Sequence, residues 1–339
     1  MTASPNTGSV RKLLSRTISK LKPSVPDPSL QPSASPASPL KENAEVKAFL
    51  NSTVSEKFSQ KQFRRLARRQ HEREFGSEAD EYTMEIGRRN PALNRYTDVA
   101  PYDSSRVIIS SSDYVNASYI RTPYRTYIAT QAPLRSTVGA FWKMIWENIQ
   151  GTKEDTVSTI IMLTQCVEGH VDKCTRYWPR AVEHLEFPYH SSTLTVHLLE
   201  QENINNADCT INTIALSLDS GPKFTVMHML YNGWRDMSIP LSTETFLNYF
   251  ALYRKFHTSE AAPVVHCSAG IGRTGVFIAL DCLFEKVPTM TVQEVVKDPV
   301  FEIVDQMRKG RMNMVYRAAQ LEYVYMLFRE MILGAEEKE

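Results

Sequence analysis

The chain has 339 residues, 42% of them hydrophobic, which is enough to bury one large core or two modest ones. Its 39 basic and 38 acidic residues leave a formal charge of +1, so the net charge does not favour binding to nucleic acid or to an anionic membrane. The five cysteines are an odd number without a CxxC pair, which argues against a disulfide framework and a zinc site, and no apolar run is long enough to span a membrane.

The first part of the chain is rich in Ser and Pro and poor in aromatic residues. This composition cannot bury enough apolar area to offset chain entropy, so we predict a disordered tail over residues 1–42. Within it, residues 11–22 have the pattern of a basic helix suited to a membrane surface or a partner groove, although we favour a solvated basic stretch. Proline-directed phosphorylation is a hypothesis for the serines that precede prolines, Ser4, Ser35 and Ser38.

The remaining chain, 43–339, is expected to form one domain that starts and ends with helices. Helices are predicted within 44–75, where apolar residues recur among many charges, and at 137–149, with Ser136 or Thr137 as the N-cap. Strands are predicted at 106–109, 114–120, 125–130, 157–164, 173–178, 193–200, 209–218 and 223–231. Further helices are predicted at 243–257, 274–286, 299–309 and 318–333. This order indicates an α/β fold with a mixed sheet rather than serial βαβ units.

The segment PVVHCSAGIGRTGVF, residues 263–277, is the most informative stretch of the sequence. Gly270, Gly272 and Gly275 have the spacing of a dinucleotide-binding loop, which would suit a nicotinamide-dependent oxidoreductase. That loop is expected near the start of a doubly wound domain, whereas this one comes after many strands. The same glycines suit a turn between a strand and a helix in which backbone N–H groups converge on an anion.

The cysteine of this segment has the surroundings of a nucleophile. At a helix N-terminus and facing Arg273, Cys267 is expected to have its pKa lowered from about 8.5 into a range of roughly 3.5 to 7.5. Arg273 has the planar fork that holds two oxygens of a phosphate, and Thr274 either caps the helix or hydrogen-bonds the thiolate. The other cysteines are expected to be buried structural residues, namely Cys166, Cys174, Cys209 and Cys282.

HCSAGIGRT, residues 266–274, resembles the HCxxGxxR(S/T) signature of protein tyrosine phosphatases. Further resemblances lie in chain order: NRY with Asp98, DYVNASYI, YIATQAP, KCTRYWP, GWRDMSIP and RMNMVYRAAQ. Together they cover roughly residues 60–333 and most closely resemble the phosphotyrosine-specific, single-domain, non-receptor branch in its fungal form. The resemblance implies a single α/β domain with a highly twisted mixed sheet flanked by helices, its cysteine loop between a strand and a helix, and neither metal nor cofactor.

The resemblance also implies roles for particular residues. Cys267 would attack phosphorus, Arg273 would hold the phosphate oxygens, and Asp236 would act as general acid and then as general base. Tyr96 would wall the pocket and Asp98 would accept the substrate backbone N–H. The other substrate-binding candidates are Ser268, Ala269, Gly270, Ile271, Gly272, Met237 and Gln320, and the supporting candidates are His266, Thr274, Trp234, Lys173, Glu168 and Tyr177.

The implied substrates are phosphotyrosine-containing proteins, with MAP kinases as candidates, and the implied role is in signalling. We expect a monomer without a transmembrane segment or a nucleic-acid partner, in the reducing cytoplasm with access to the nucleus. A reactive thiol at Cys267 also predicts reversible oxidation there.

Four positions depart from the family pattern. Arg235 and Met237 stand where most relatives have Pro and Phe, and Thr97 replaces a commonly basic residue. Tyr316 stands where relatives usually have the glutamine that positions the hydrolytic water. These departures leave an alternative open, a catalytically slow protein or pseudophosphatase that binds phosphotyrosine without releasing phosphate.

Overall fold

The computed structural model describes residues 39–111, 113–150, 152, 156–180, 183–257 and 261–334. The helices in these ranges are α1 (Pro39–Glu42), α2 (Ala44–Thr53), α3 (Glu56–Phe75), α4 (Glu85–Arg89), α5 (Val138–Ile149), α6 (Thr243–Phe256), α7 (Gly272–Lys286), α8 (Val292–Val296), α9 (Pro299–Gly310) and α10 (Ala318–Leu333). The strands are β1 (Ala117–Arg121), β2 (Thr126–Thr130), β3 (Val157–Met162), β4 (Val167–Glu168), β5 (Val171–Asp172), β6 (His184–Tyr189), β7 (Ser192–Ile204), β8 (Cys209–Leu218), β9 (Lys223–Tyr231) and β10 (Val264–His266).

Eight of these strands form one mixed sheet in the order β1-β2-β10-β3-β9-β8-β7-β6, and β4 and β5 form a separate hairpin. The four strands β2, β10, β3 and β9 run parallel to one another, and the other pairs are antiparallel. The predicted α/β fold with a mixed sheet flanked by helices is confirmed.

The parallel strands decide where the loops of the molecule meet. The carboxyl ends of parallel strands lie at one edge of a sheet, which is where α/β proteins place their sites. Gln131 follows β2, Leu163 follows β3, Asn232 follows β9 and Cys267 follows β10. Four chain segments that are far apart in sequence therefore reach the same edge.

Helix α7 is the central helix of the domain. Every residue from Gly272 to Leu283 is buried, and the helix packs against β10, α9 and α10. A helix that is apolar on all sides is stable only when it is covered on all sides. The N-terminus of α7 is thus held rigidly at the end of β10.

Ordered structure begins before the predicted boundary of the tail. Residues 39–42, assigned to the tail, form α1, and Leu40 is buried. The predictions for residues 1–38, including the basic helix and the three serines, lie outside the described residues. The N-cap prediction for α5 is partly right, because Thr137 precedes the helix but its hydroxyl accepts from the Leu134 N–H at 2.9 Å rather than from the first turn.

Two predicted strands are wrong, and three strands were missed. At 106–109 only Arg106 forms a bridge, with Ser118, although the alternation of buried Val107 and exposed Ile108 is strand-like. Residues 173–178 are irregular. Strands β4 and β5 were not predicted, since each has only two residues. Strand β6 was also not predicted, and β7 continues to Ile204, because both belong to the antiparallel half of the sheet, where pairing extends segments with mixed polarity.

Candidate active site

The loop between β10 and α7 has a backbone that requires glycine. Gly270 has a φ of +71°, and a Cβ there would lie 2.1 Å from the Thr130 carbonyl oxygen. A Cβ at Gly275 would lie 2.3 Å from the Val315 nitrogen, which confirms that this glycine allows close packing of α7. A Cβ at Gly272 would lie 3.0 Å from Gln320 Oε1. The glycine spacing is therefore explained by packing of the loop against its neighbours.

Arg311 holds this loop from behind. Its guanidinium donates to the carbonyl oxygens of Gly270 and Ala269, each at 3.0 Å, and to Asn116 Oδ1 at 2.7 Å. In a trans peptide the N–H points opposite to the C=O, so these contacts turn the following N–H groups away from Arg311. Burial lowers the pKa of Arg311 to about 10, so the guanidinium remains charged at neutral pH. This role of Arg311 was not predicted, because an arginine in a polar segment usually faces solvent.

Cys267 lies at the start of the loop and is only 5% exposed. Burial raises the pKa of its thiol, but Arg273, the Thr274 hydroxyl and the backbone N–H groups of Thr274 and Gly270 lower the pKa by more. The net pKa is below the ordinary value, as predicted. The buried Thr274 hydroxyl has no other hydrogen-bond partner among the described residues, which supports thiolate contact rather than capping.

Arg273 is buried beside Cys267 and is held by a bidentate ion pair. Its Nη1 lies 2.6 Å from Glu168 Oε1, and its Nη2 lies 2.8 Å from Glu168 Oε2. Nη1 also donates to the Leu163 carbonyl oxygen at 2.7 Å. Glu168, on the β4–β5 hairpin, thus fixes the plane of the guanidinium from one side.

Asp236 reaches the same guanidinium from the segment after β9. Its Oδ1 accepts from Arg273 Nη2 at 2.9 Å, and its Oδ2 accepts from Lys173 Nζ at 2.5 Å. Burial raises the pKa of this carboxyl, but the hydrogen bonds and charges of Lys173 and Arg273 lower it by more. The net pKa is therefore below the usual range. Trp234, which is buried and donates to the Ser238 carbonyl oxygen at 2.8 Å, anchors the segment.

A thiol of lowered pKa, a guanidinium that can bind an oxyanion and a carboxylate above it form the centre of the site. The family profile described as protein-tyrosine phosphatase matches residues 90–330, which include all of these groups. The chain belongs to the protein-tyrosine phosphatase family.

Individual phosphatases support the same assignment. The chain is 35% identical over 261 residues to the non-receptor type 20 phosphatase of Rattus norvegicus, covering 75% of this chain and 57% of the relative. It is 33% identical over 243 residues to tyrosine-protein phosphatase 1 of Schizosaccharomyces pombe, covering 68% of this chain and 43% of the relative. The match thus spans about half the length of these relatives.

Solved phosphatase structures share the fold. The catalytic domain of human protein tyrosine phosphatase non-receptor type 18 has a TM-score of 0.69 and 29% identity, covering 81% of this chain and 96% of that one. A structure of PTPN18 with a HER2 phosphopeptide has a TM-score of 0.70 and 29% identity, covering 80% of this chain and 99% of that one.

The candidate substrate-recognition residues of the phosphatase site are only partly brought to the loop. The Tyr96 hydroxyl lies 2.9 Å from Ser268 Oγ, so its ring stands at the loop entrance. Ser268 Oγ also donates to the Lys173 carbonyl oxygen at 2.9 Å. Asp98 and Thr97 are exposed, and Asp98 has no hydrogen bond or ion pair with another described residue.

The histidine before the nucleophile is a supporting residue. Burial lowers the pKa of His266 to about 4, so the ring is neutral. Its Nδ1 lies 3.1 Å from the Cys267 carbonyl oxygen and therefore carries the proton, which leaves Nε2 to accept from the Tyr177 hydroxyl at 2.7 Å. The predicted partnership of His266 with Tyr177 is confirmed.

The loop that precedes α10, together with the start of that helix, contacts the segment that carries Asp236. The Gln320 side chain accepts from the backbone N–H groups of Tyr316 at 3.2 Å and Arg317 at 3.3 Å, and donates to the Ser238 carbonyl oxygen at 3.3 Å. Arg317 Nη2 lies 3.3 Å from Met237 Sδ, and its guanidinium covers the Tyr316 ring at 5.1 Å. Gln320 thus links the backbone of two protein segments, and its contact with substrate stays a prediction.

In the described part of the chain, the His, Cys, Asp and Glu side chains form no group of three or more that could hold a metal ion. None of the helices described there has the length and apolar character needed to cross a membrane.

Proposed function

We propose that this protein hydrolyses phosphotyrosine in proteins through a phosphocysteine intermediate. The observation that supports this most directly is the pairing of an activated thiol, Cys267, with a buried guanidinium, Arg273, that Glu168 orients. Such a pair supplies a nucleophile and a binding site for equatorial phosphate oxygens.

In the first step the Cys267 sulfur attacks phosphorus while the bond to the tyrosine oxygen breaks. Arg273 and the N–H groups of residues 268–273 bind the phosphate oxygens, whose charge is spread over the transition state. Asp236 gives a proton to the leaving phenolate. Dephosphorylated tyrosine leaves, and phosphate remains on sulfur.

Substrate binding itself prepares Asp236 to carry that proton. Without substrate, Arg273 and Lys173 keep the pKa of its carboxyl low. A phosphate dianion that occupies Arg273 displaces Asp236 from the guanidinium and places negative charge beside it. Both changes raise the pKa of the carboxyl, so the protonated form becomes available when phosphate is bound.

In the second step the ionised Asp236 takes a proton from water. The water oxygen attacks phosphorus, the phosphorus–sulfur bond breaks, and inorganic phosphate leaves the Cys267 thiolate. Gln320 and Trp234 hold the segment in place through the Ser238 carbonyl oxygen.

Hydrolysis of p-nitrophenyl phosphate in the presence of EDTA tests the proposal. We expect turnover by the wild-type chain and none by Cys267→Ser, because a serine hydroxyl is not ionised at neutral pH. Equal turnover by the two proteins would refute the phosphocysteine route. Tight phosphotyrosine binding without phosphate release by the wild type would instead identify the pseudophosphatase alternative.

Selectivity for phosphotyrosine is proposed to come from Tyr96. Its ring stands at the entrance of the loop, where it can stack on a substrate ring whose phosphate reaches Cys267. A phosphoserine side chain is too short to pass that wall. Phosphate release from matched phosphotyrosine and phosphoserine peptides tests this, with equal rates as the contrary result.

We propose phosphotyrosine-containing proteins as partners, with MAP kinases among the candidates, and a monomer whose domain includes α1 and so begins at residue 39 rather than 43. A cytoplasmic location with access to the nucleus would keep the Cys267 thiol reduced. Affinity capture with the Asp236→Ala chain, followed by identification of the bound phosphoproteins, tests the substrate class. Capture without MAP kinases would remove them as candidates.

A further inference from the structure

Two cysteines outside the catalytic set lie beside the β4–β5 hairpin. The prediction of burial is confirmed for Cys174, Cys209 and Cys282. It is wrong for Cys166, which is only half-buried. Cys166 immediately precedes β4, and Cys174 comes two residues after β5.

A bulge in the stem of the hairpin brings Cys174 to Cys166. Val167 pairs with Asp172, so a regular ladder would place Lys173 opposite Cys166 and turn Cys174 to the other face. Instead, the Cys166 carbonyl oxygen accepts from the Lys173 N–H at 2.8 Å and from the Cys174 N–H at 3.2 Å. Two residues opposite one is the pattern of a β-bulge, which re-aims side chains. Cys174 thereby faces Cys166.

The two sulfurs have different protonation states. A hydrogen bond from the Cys174 thiol lowers the pKa of Cys166 to about 7, against the effect of burial and with help from Arg176 and Arg95. Burial raises the pKa of Cys174 well above its ordinary value. The Cys174 thiol also lies 3.2 Å from the Thr175 carbonyl oxygen. A partly ionised, accessible sulfur therefore stands beside a neutral thiol.

We propose that Cys166 and Cys174 form a peroxide-sensitive dithiol site that closes to a disulfide. The Cys166 thiolate attacks one oxygen of hydrogen peroxide; a sulfur–oxygen bond forms, the oxygen–oxygen bond breaks, and hydroxide leaves. The Cys174 sulfur then attacks the sulfenic sulfur of Cys166, and the displaced hydroxyl leaves as water with the Cys174 proton. The two sulfurs lose two electrons in total, and peroxide is reduced to one water and one hydroxide, which takes a proton from solvent.

The disulfide would fasten the stem of the hairpin that carries Glu168 and Lys173. Cys209 and Cys282 are natural controls, because burial raises the pKa of each to about 12. Their thiols are neutral at physiological pH and react poorly with peroxide.

Mass spectrometry of the full chain tests the proposal independently of catalysis. The Cys267→Ser chain is treated with hydrogen peroxide, alkylated and digested with trypsin without reduction. Cleavage after Lys153 and Lys173 puts Cys166 in peptide 154–173 and Cys174 in peptide 174–176. We expect these two peptides to appear linked, two hydrogens lighter than their sum, and to separate after dithiothreitol.

Matched variants complete the experiment. Cys166→Ser and Cys174→Ala should each abolish the linked pair, and Cys209 and Cys282 should remain alkylated at the same peroxide concentration. The wild-type chain should give the same Cys166–Cys174 link. A link from Cys174 to Cys267 in its place, Cys166 oxidised only to sulfinic acid, or both cysteines still alkylated would each overturn the proposal.

Discussion

Asp236 Oδ1 accepts a hydrogen bond from Arg273 Nη2 at 2.9 Å. The proposed acid and the proposed phosphate-binding cation therefore neutralise one another before substrate arrives. In the proposed mechanism a phosphate dianion replaces the carboxylate on Arg273, which couples binding to protonation of the acid.

This contact makes a two-part prediction for Asp236→Asn. We expect kcat for p-nitrophenyl phosphate to fall by about 10²- to 10⁴-fold, the usual contribution of a general acid. Inorganic phosphate should inhibit more strongly, because the neutral amide competes less for Arg273. Steady-state kinetics with phosphate as inhibitor measures both effects. Asp80→Asn, at an exposed aspartate, is the control, and an unchanged kcat in Asp236→Asn would contradict the assignment.

The family resemblance implies that Tyr316 replaces the glutamine that usually positions the hydrolytic water. We expect the wild type to release a burst of p-nitrophenol and then turn over slowly, because the phosphocysteine is hydrolysed slowly. Tyr316→Gln should shrink the burst and raise kcat by up to about tenfold, equivalent to about 1.4 kcal/mol.

Rapid-mixing kinetics measures the burst. Tyr124→Gln is a matched control, since Tyr124 is 38% exposed and Tyr316 is 37% exposed. A wild type without a burst, or an unchanged burst in Tyr316→Gln, would show that hydrolysis of the intermediate is not limited by this residue.

Buried His266 predicts acid-sensitive stability. Burial lowers its pKa in the folded protein to about 4, whereas an unfolded histidine titrates near 6.5. Between these values the unfolded chain binds a proton that the folded chain does not, so the free energy of unfolding falls as pH falls through this window. The total loss from this residue is roughly 3 kcal/mol.

Urea denaturation between pH 7 and pH 4 measures this loss. His266→Gln should show a weaker pH dependence than the wild type, whatever its absolute stability. His184→Gln, at a histidine whose side chain is 57% exposed, should retain the wild-type dependence. Parallel curves for wild type and His266→Gln would contradict the prediction.

A glycine can be required by its backbone conformation or by lack of space for a side chain, and Gly270 and Gly169 distinguish these two reasons. Both have positive φ, +71° and +63°, but a Cβ at Gly169 meets nothing within 4 Å. Gly169→Ala should therefore cost only the left-handed conformation, about 1 to 2 kcal/mol. Gly270→Ala should cost more and should also reduce turnover, because its Cβ would strike the Thr130 carbonyl oxygen. Equal losses in urea denaturation would refute the steric argument.

Much of the fold could be read from local patterns. The bounds of β8, β9 and α10 were predicted as observed, because alternation and helical stripes extend along each whole element. The segment 173–178 misled the same reasoning. Its apolar and β-branched residues are strand-like, but its backbone forms no regular strand pairing. Lys173 and Cys174 form a β-bulge opposite Cys166, and the Thr175 N–H donates to the Pro133 carbonyl oxygen.

The site, like the fold, has features that the sequence predicts and features that it does not. Arg311 was missed, because only the packed structure shows that its guanidinium faces buried carbonyl oxygens rather than water. The exposure of Cys166 and its contact with Cys174 depend on a bulge that no residue pattern marks. The hydrogen bonds of the Gln320 amide to backbone groups on two sides were likewise not predicted.

The amino-acid sequence by itself determined which groups are available for chemistry: a cysteine before a glycine-rich turn, an arginine at a helix start and an aspartate in a loop. These groups are local properties of short segments, so they can be recognised without any knowledge of the fold. Tertiary structure alone decided that Glu168 pairs with Arg273, 105 residues away, and that Asp236 lies over the same guanidinium. The physical reason is the order of the sheet, because β10 inserts between β2 and β3 and brings the ends of four parallel strands to one edge.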